Sequence, residues 1–280
     1  MKKTIPDFAK MKQAGEQITM LTAYDYPSAR WVEQAGVDMI LVGDSLGMVV
    51  LGYDSTVPVT MDEMLHHTKA VRRGAPDTFI VGDMPYLSYP SPEIALNNAA
   101  RFMKEAGADA VKLEGGENYA EIVRYLTKAG IPVVGHIGLT PQTASQLGGF
   151  KVQGRDLESA RQLALDGLAI QAAGAFAIVL EAIPRQVGWQ LTQELTIPTI
   201  GIGAGPCAGQ VLVFHDLLGL YERFKPRFVK QYADIAPLAI EGIKQFHNEV
   251  KAGKFPAEEH TFTLSTEIQT RLYGSEPQEN

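Results

Sequence analysis

Hydrophobic residues along the chain form short runs that alternate with longer amphipathic stretches. Eight runs are apolar at successive positions and bounded by turn residues, a pattern typical of parallel strands covered on both faces. These runs are ITMLTAYD, MILVGD, TFIVGD, AVKLEG, PVVGHIG, FAIVLEA, PTIGIGAG and VLVFHD. Segments of roughly 12 to 30 residues with helical composition separate most of them, which is the usual spacing of βα units.

Other local signals mark where the intervening helices begin and end. Four runs follow an Ala-Gly pair, and a glycine there can adopt the left-handed conformation that ends a helix; these glycines are Gly36, Gly107, Gly130 and Gly174. Thr60, with Glu63 three residues later, predicts a helix start with a capping box. Eight βα units in one chain favour a TIM (β/α)8 barrel over a doubly wound sheet.

The predicted barrel extends from about residue 17 to about residue 228 of a single domain, residues 1–280, with helical additions at both ends. After it, FVKQYADIAPLAIEGIKQFHNEVKAG has apolar residues at three- and four-residue spacing and predicts one or two helices. The polar tail from Phe255 onward is expected to fray or to pack on a neighbour. No stretch resembles a linker to a second domain.

Charge and composition narrow the class of partner. The chain has 25 Lys and Arg against 32 Asp and Glu, and no basic run exceeds two residues, which argues against a nucleic-acid surface. No uncharged apolar run approaches the ~18 residues of a membrane span, and the start shows no secretory signal. Cys207 is the one cysteine, so no internal disulfide is possible. We therefore expect a cytoplasmic protein with neither a membrane nor a nucleic acid as partner.

The carboxyl ends of the predicted strands supply a candidate site, because chemistry in such barrels gathers at that face. The polar residues found there are Asp44, Ser45, Asp83, Lys112, Glu114, His136, Glu181, His215 and Asp216.

Three carboxylates, Asp44, Asp83 and Glu114, come from adjacent predicted strands and would repel one another in one small volume. A Mg²⁺ ion would resolve that repulsion. We interpret the glycines before the two aspartates, Gly43 and Gly82, as residues that let the backbone turn at the rim. The alternatives stay open: Gly-Asp after a strand is more often a turn or a helix N-cap, and Lys112 could simply pair with Glu114 on the same strand face.

Glu181 follows six uncharged apolar residues, AFAIVL. Because burial makes a carboxylate a better base, we expect Glu181 to accept a proton. The alternative is an ion pair with Arg185, four residues further on. His136 by itself is more often a structural histidine, and for His215 and Asp216 the sequence does not decide between site and turn.

Seven phrases, in this order, resemble the ketopantoate hydroxymethyltransferase family over nearly the whole chain: MLTAYDYPSA, VGDSLGMVVLGYDSTVPVTMDEM, GDMPYLSY, AVKLEGG, GHIGLTPQ, IVLEAIP and IPTIGIGAG. The resemblance implies a TIM barrel that binds Mg²⁺ and acts in pantothenate biosynthesis. It implies the condensation of 3-methyl-2-oxobutanoate, an α-keto acid, with a one-carbon unit from 5,10-methylenetetrahydrofolate. It also implies self-association, commonly as a homodecamer.

Carried over by position, the resemblance implies roles for the strand-end residues. The implied metal residues are Asp44, Asp83 and Glu114, the last directly or through water. The implied keto-acid-binding residues are Asp44, Ser45, Asp83 and Lys112. Glu181 matches the proton acceptor, and His136 lies beside the site as a further substrate-binding candidate.

Three rival functions remain at this stage. In a Schiff-base aldolase Lys112 would be a covalent nucleophile, but nearby acids would keep its amine protonated. Barrels of the phosphoenolpyruvate mutase and isocitrate lyase type share Mg²⁺ and enolate chemistry, yet their KKCGH-like loop is not found here. A barrel used only for binding or assembly would leave the converging charges unexplained.

Overall fold

The computed structural model describes residues 2–146 and 148–274. The chain divides into two compact units, one ending at Tyr232 and the other starting at Ala233. The first unit contains a closed barrel in which each strand pairs in parallel with the next and β8 pairs with β1. Its strands are β1 Ile18–Thr22, β2 Met39–Val42, β3 Phe79–Asp83, β4 Ala110–Lys112, β5 Val133–Gly138, β6 Ala177–Glu181, β7 Thr199–Ile202 and β8 Gly209–Leu212.

The predicted (β/α)8 barrel is confirmed, and seven of the eight predicted strands contain the observed one. The exception is VLVFHD, residues 211–216, because β8 begins two residues earlier and ends at Leu212. His215 and Asp216 lie instead on a short helix, Phe214–Leu218. Our assignment of these two residues to a strand end was therefore wrong.

The helices are α1 Ile5–Ala14, α2 Tyr26–Gln34, α3 Leu46–Val49, α4 Met61–Gly74, α5 Pro92–Lys104, α6 Ala120–Lys128, α7 Leu157–Ala172, α8 Arg185–Glu194, α9 Phe214–Leu218, α10 Ile235–Lys251 and α11 Thr266–Tyr273. Within the described residues, none is both long enough and apolar enough to cross a membrane.

The predicted helix signals are confirmed. At the start of α4, the Thr60 backbone N–H donates to Oε2 of Glu63 at 2.7 Å, and the Glu63 N–H donates to Oγ1 of Thr60 at 3.2 Å. The four glycines predicted to end helices all have positive φ, namely 75° at Gly36, 72° at Gly107, 85° at Gly130 and 100° at Gly174. Local sequence thus positions most of the helices around the barrel.

The second unit contains α10, α11 and a short 3₁₀ turn, Glu258–His260. The ring of Phe255 lies 5.6 Å from that of Phe246 and 5.0 Å from that of His260. The prediction of one or two helices after the barrel is confirmed by α10. Helix α11 lies in the polar tail, for which we predicted no helix. The prediction of a single domain over residues 1–280 stays a prediction.

Alternate residues of each barrel strand face opposite sides, as the pleat requires. Phe79 and Val81 of β3 belong to the core inside the barrel, whereas Ile80 belongs to the layer between strands and helices. Phe8 of α1 packs edge-on against Phe79 at 5.2 Å between ring centres and contributes to the inner core. Asp83 continues the inward row of β3, so its carboxylate faces the barrel interior at the opposite end.

Candidate active site

The inward rows of four neighbouring strands end in charged side chains. They are Asp83 on β3, Lys112 on β4, His136 on β5 and Glu181 on β6. The ammonium of Lys112 lies 2.8 Å from Oδ1 of Asp83 and 3.1 Å from Nδ1 of His136. Nε2 of His136 lies 3.2 Å from Oε2 of Glu181. The structure therefore brings these predicted residues into one continuous chain of polar contacts.

Asp44 joins this row beside Asp83. Its backbone N–H donates to Oδ2 of Asp83 at 3.2 Å. A Cβ on Gly43 would lie 2.9 Å from Oγ of Ser45, so glycine leaves room for that hydroxyl, whereas the Asp83 oxygen would be in ordinary van der Waals contact at 3.7 Å. A Cβ on Gly82 would overlap the ring of Phe102 on α5.

This geometry changes our interpretation of the two Gly-Asp pairs. Gly82 lies inside β3, so our interpretation that it lets the backbone turn at the rim was wrong. Gly43 does begin a turn, since its carbonyl oxygen accepts the Leu46 N–H at 3.1 Å, but neither glycine has a positive φ. Their role is spatial. Gly43 leaves room for the Ser45 hydroxyl, and Gly82 leaves room for the aromatic ring of Phe102.

Burial and repulsion dominate the charge state of the two aspartates. Asp44 and Asp83 are 5% and 2% exposed. Burial, followed by the charges of Asp83 and Glu114, raises the pKa of Asp44 well above its ordinary value. Burial also raises the pKa of Asp83, although the ammonium of Lys112 opposes that effect. Both shifts show that the positive charge within the site does not fully compensate these carboxylates.

Lys112 is a buried cation of the site. Its side chain is 3% exposed, and besides Asp83 it lies 3.7 Å from Oε1 of Glu114. Burial alone would lower the pKa of Lys112, but the carboxylates of Asp83, Glu114 and Asp44 outweigh it and raise that pKa above its ordinary value. The side chain is therefore a charged ammonium at neutral pH and a poor amine nucleophile.

Both carboxylate oxygens of Glu114 contact nitrogen atoms of the protein. Its Oε2 accepts the backbone N–H of Gln142 at 3.1 Å, and its Oε1 lies 3.4 Å from Nδ1 of His136. Burial would raise the pKa of Glu114, but Lys112 and His136 lower it below the ordinary value. Glu114 thus keeps its charge more readily than Asp44 and Asp83 do.

His136 connects Glu114 to Glu181. Burial and Lys112 lower the pKa of this imidazole, but the two glutamates outweigh them and raise it to about 9. When the ring is neutral, Nδ1 accepts from the Lys112 ammonium; when the ring is charged, Nδ1–H donates to Glu114. In both states Nε2 carries a hydrogen and lies within ion-pair distance of Glu181, at 3.2 Å from Oε2. His136 therefore places a polar N–H group beside the Glu181 carboxylate.

The backbone around Glu181 is tightly constrained. Its carbonyl oxygen accepts the Leu139 N–H at 2.9 Å, and Ala182, the next residue, has the unusual φ of 47°. A Cβ on Gly138, where φ is 98°, would overlap that carbonyl oxygen. The Glu181 side chain is 15% exposed. Within the described residues it forms an ion pair with His136 and not with Arg185, the first residue of α8.

Ser45 lies at the edge of the charged row. Its Oγ is 2.8 Å from the hydroxyl of Tyr24, which is buried. The ring of His215 packs 5.5 Å from that of Tyr24, but neither His215 nor Asp216 contacts the charged row through the hydrogen bonds described above. The structure thus places these two residues outside the chain of polar contacts.

Two residues at the centre of the site were missed by the sequence reasoning. Gln142 and Tyr89 are 3% and 5% exposed, and the Tyr89 hydroxyl is 2.5 Å from Oε1 of Gln142. Gln142 also donates to Oδ2 of Asp44 at 2.8 Å. Both residues lie in quoted family phrases, GHIGLTPQ and GDMPYLSY, and that position was the available signal. Neither follows a strand directly, so the strand-end rule did not select them.

The donors fit a Mg²⁺ ion that is bound by few protein ligands. Among residues 2–146 and 148–274, no three His, Cys, Asp or Glu side chains are spaced as a ready-made metal cluster. Mg²⁺ is usually held by one or two carboxylates, with water and substrate completing its shell. Asp44 and Asp83 are adjacent, buried and incompletely compensated, which suits that arrangement. Glu114, with both oxygens near protein donors, is suited to contact through water.

Comparisons with known proteins agree with this geometry. The sequence profile of the family described as "Ketopantoate hydroxymethyltransferase" matches residues 2–258. Three proteins named 3-methyl-2-oxobutanoate hydroxymethyltransferase are similar along nearly their whole length. The relative from Carboxydothermus hydrogenoformans is 58% identical and covers 96% of this chain and 99% of its own. The relative from Geobacillus thermodenitrificans is 60% identical, with 97% and 98% covered. A relative from Thermus thermophilus is 59% identical, with 94% and 100% covered.

Solved structures with similar folds are more distant in sequence. A 2,3-dimethylmalate lyase of the PEP mutase/isocitrate lyase superfamily has a TM-score of 0.56 at 17% identity, covering 96% of this chain and 94% of its own. A phosphonopyruvate hydrolase in complex with oxalate and Mg²⁺ has a TM-score of 0.56 at 14% identity, with the same coverage. At these identities the likeness shows the barrel fold alone. The profile match and the full-length identities near 60% show that the chain belongs to the ketopantoate hydroxymethyltransferase family.

Proposed function

We propose that this chain transfers a hydroxymethyl group from 5,10-methylenetetrahydrofolate to 3-methyl-2-oxobutanoate. The product is 2-dehydropantoate, and the reaction is the first committed step of pantothenate biosynthesis. The names of the full-length relatives support the reaction class. The observation that carries the proposal is the continuous row of Asp83, Lys112, His136 and Glu181 beside Asp44, because it combines a metal-binding pair, a cation and a base.

Asp44 and Asp83 would hold Mg²⁺, and Glu114 would contact it through water. When bound, the ion would polarise the keto group as a Lewis acid and make the neighbouring C3–H bond more acidic. Each unit by which the pKa of the C3–H group exceeds that of the base adds about 1.4 kcal/mol to the free energy of proton transfer. A glutamate alone cannot overcome a pKa difference of many units, so the reaction needs both the metal ion and the base.

Lys112 would bind the anionic substrate as a fixed positive charge. Its ammonium is already desolvated and held by Asp83 and Glu114, so little reorganisation is needed when a carboxylate or an enolate oxygen approaches. Ser45, half-buried and in contact with Tyr24, would donate a further hydrogen bond to the keto acid. This role differs from that of a Schiff-base lysine, which must be neutral to attack.

Glu181 would remove the proton from C3. The electron pair of the C–H bond then forms the enolate, and His136 holds the carboxylate that receives the proton. Water adds to the methylene carbon of the folate and both of its C–N bonds break, which gives formaldehyde and tetrahydrofolate. The enolate carbon then bonds to the carbon of formaldehyde, whose oxygen takes the proton held by Glu181 and becomes the hydroxyl group. A partly exposed carboxylate suits this role, since substrate must reach it.

The test is exchange of the C3 hydrogen of 3-methyl-2-oxobutanoate with deuterated solvent. NMR monitors this exchange in the presence and in the absence of Mg²⁺. We expect metal-dependent exchange and, with methylenetetrahydrofolate added, formation of 2-dehydropantoate. Absence of that product under turnover conditions would refute the proposed reaction. Exchange that persists in chelator, together with a borohydride-trapped adduct on Lys112, would favour the Schiff-base alternative.

We also propose that the chain self-associates, as a homodecamer. Helix α10 exposes large apolar side chains, with Leu238 72%, Ile243 67% and Phe246 56% exposed. Exposed apolar surface of this kind is typical of interfaces between protein chains. Light scattering coupled to size-exclusion chromatography would test the proposal. A monomeric mass at micromolar concentration would contradict it.

A further inference from the structure

Gln142 lies between two of the site's carboxylates and forms hydrogen bonds through its side-chain amide and its backbone N–H. Its side chain is buried, and Nε2 donates to Oδ2 of Asp44 at 2.8 Å and to the carbonyl oxygen of Met84 at 2.9 Å. Its backbone N–H donates to Oε2 of Glu114 at 3.1 Å. A side chain with this many buried bonds has little freedom to move.

Tyr89 determines which way the Gln142 amide points. The Tyr89 hydroxyl oxygen accepts the backbone N–H of Glu114 at 3.3 Å, so its own hydrogen is available to donate. That hydrogen goes to Oε1 of Gln142 at 2.5 Å. The amide oxygen is thereby assigned to Tyr89, and the amide NH₂ must face Asp44 and Met84. A reversed amide would place oxygen against oxygen at both of those acceptors.

The bond from Gln142 leaves Asp44 with one oxygen, Oδ1, outside this contact. A carboxylate restricted in this way favours single-oxygen ligation. Mg²⁺ requires a compact octahedral shell, whereas Ca²⁺ accepts more oxygen ligands, including bidentate carboxylates. The hydrogen bond therefore bears on which divalent ion the site prefers as well as on how strongly it binds.

We propose that Gln142 is a positioning residue that holds Asp44 to a single free oxygen and thereby makes the site selective for Mg²⁺ over Ca²⁺. The proposal rests on the assignment of Asp44 as a metal ligand under the proposed function. Gln142 acts through Asp44 and Glu114 and has no contact with substrate in this scheme. Tyr89 supports it by fixing the amide.

The test is calorimetric titration of the full-length protein with Mg²⁺ and, separately, with Ca²⁺. In Gln142→Leu the apolar side chain cannot donate to Asp44, so we expect Mg²⁺ affinity to fall by about 10- to 100-fold, as for loss of a residue that orients a metal ligand. Ca²⁺ affinity should fall less or rise, because Oδ2 of Asp44 becomes free. Gln146→Leu is the matched control: Gln146 lies in the same segment but is exposed, and neither affinity should change.

Tyr89→Phe provides a second variant that removes only the hydroxyl. It should shift the Mg²⁺ to Ca²⁺ affinity ratio in the same direction by about 2- to 10-fold, the effect of one hydrogen bond. Equal losses of both affinities in Gln142→Leu, or an unchanged ratio in both variants, would overturn the role of Gln142. If the native protein bound neither ion, the metal assignment of the proposed function itself would fail.

Discussion

The ammonium of Lys112 lies 2.8 Å from Oδ1 of Asp83, and the two residues are direct register partners on β4 and β3. Parallel pairing therefore places a cation and a carboxylate side by side at the same depth of the barrel. Neighbouring carboxylates keep the lysine charged, and the lysine partly offsets the repulsion among them. Metal, substrate and base are all proposed to act within reach of this pair.

Replacing the lysine tests its role as a charge. Lys112→Ala should weaken keto-acid binding by about 10- to 100-fold, the loss expected for a hydrogen bond to a charged group. The KM for 3-methyl-2-oxobutanoate measures this effect. Native protein treated with keto acid and borohydride should show an unchanged mass, because no imine forms. An adduct in the native protein that Lys112→Ala lacks would contradict the mechanism.

Asp44→Ala and Asp83→Ala should each abolish metal-dependent activity while the protein stays folded. Each change removes a proposed ligand but also relieves repulsion between buried carboxylates. Calorimetry with Mg²⁺ measures the loss of the ligand, and circular dichroism measures the fold. The exposed Asp77 provides the control variant Asp77→Ala, which should bind Mg²⁺ as the native protein does. Unchanged Mg²⁺ affinity in both site variants would disprove the assignment.

Glu181→Gln separates proton removal from binding. Glutamine keeps the shape and can still hydrogen-bond, but it cannot accept a proton at neutral pH. We expect near-native binding of Mg²⁺ and keto acid, with C3 exchange and product formation both reduced by about 10²- to 10⁴-fold. Glu158→Gln, on an exposed turn of α7, should leave both rates unchanged. Loss of product with exchange intact would assign Glu181 to a later step.

Asp216 should make the protein's stability depend on pH. Burial raises the pKa of Asp216 to about 6, so the folded state favours the protonated form. The resulting destabilisation is absent below the unfolded pKa of about 4 and complete above about pH 6. Asp216→Asn should therefore be more stable than the native protein at pH 7, by about 1 kcal/mol after allowance for solvent screening.

Denaturant titrations at pH 7 and pH 4 would measure this difference, with Asp77→Asn as the exposed control. The gain from Asp216→Asn should shrink towards zero at pH 4. A gain of equal size at both pH values would show that the carboxylate's charge is not its source.

Gly138→Ala should destabilise the backbone that carries Glu181. The new methyl group would meet the Glu181 carbonyl oxygen and would also require alanine at a φ of 98°. Gly130→Ala is a close control, since φ there is 85° and nothing lies within 4 Å of the added Cβ. The control should lose only about 1–2 kcal/mol of stability from its backbone conformation. Thermal unfolding should show a larger loss for Gly138→Ala, and equal losses would contradict this packing argument.

Local patterns along the chain were enough to predict the barrel and most of the residues of the candidate site. Successive apolar positions, Ala-Gly helix ends and βα spacing are local features, and each depends on residues close together in the chain. Alternation along a strand also implied that Lys112 and Glu114 share a face, as the structure shows by placing Lys112 3.7 Å from Glu114. The strand prediction failed at β8. Phe214 begins a helix there, and a short apolar run does not by itself distinguish a helix from a strand.

The pairs of side chains that meet in the site could not be predicted in this way, because they depend on the folded barrel. Glu181 pairs with His136 on the adjacent strand rather than with Arg185, since Glu181 ends a strand and Arg185 begins the next helix. Gln142 reaches Asp44 across 98 positions of sequence, and Tyr89 reaches Gln142 from a different loop. Such contacts leave no periodic pattern in the sequence, because their loops are far apart in the chain and come together only when the barrel closes. Sequence therefore supplied the residue types at the rim, whereas strand register and loop packing supplied the distances that decide their chemistry.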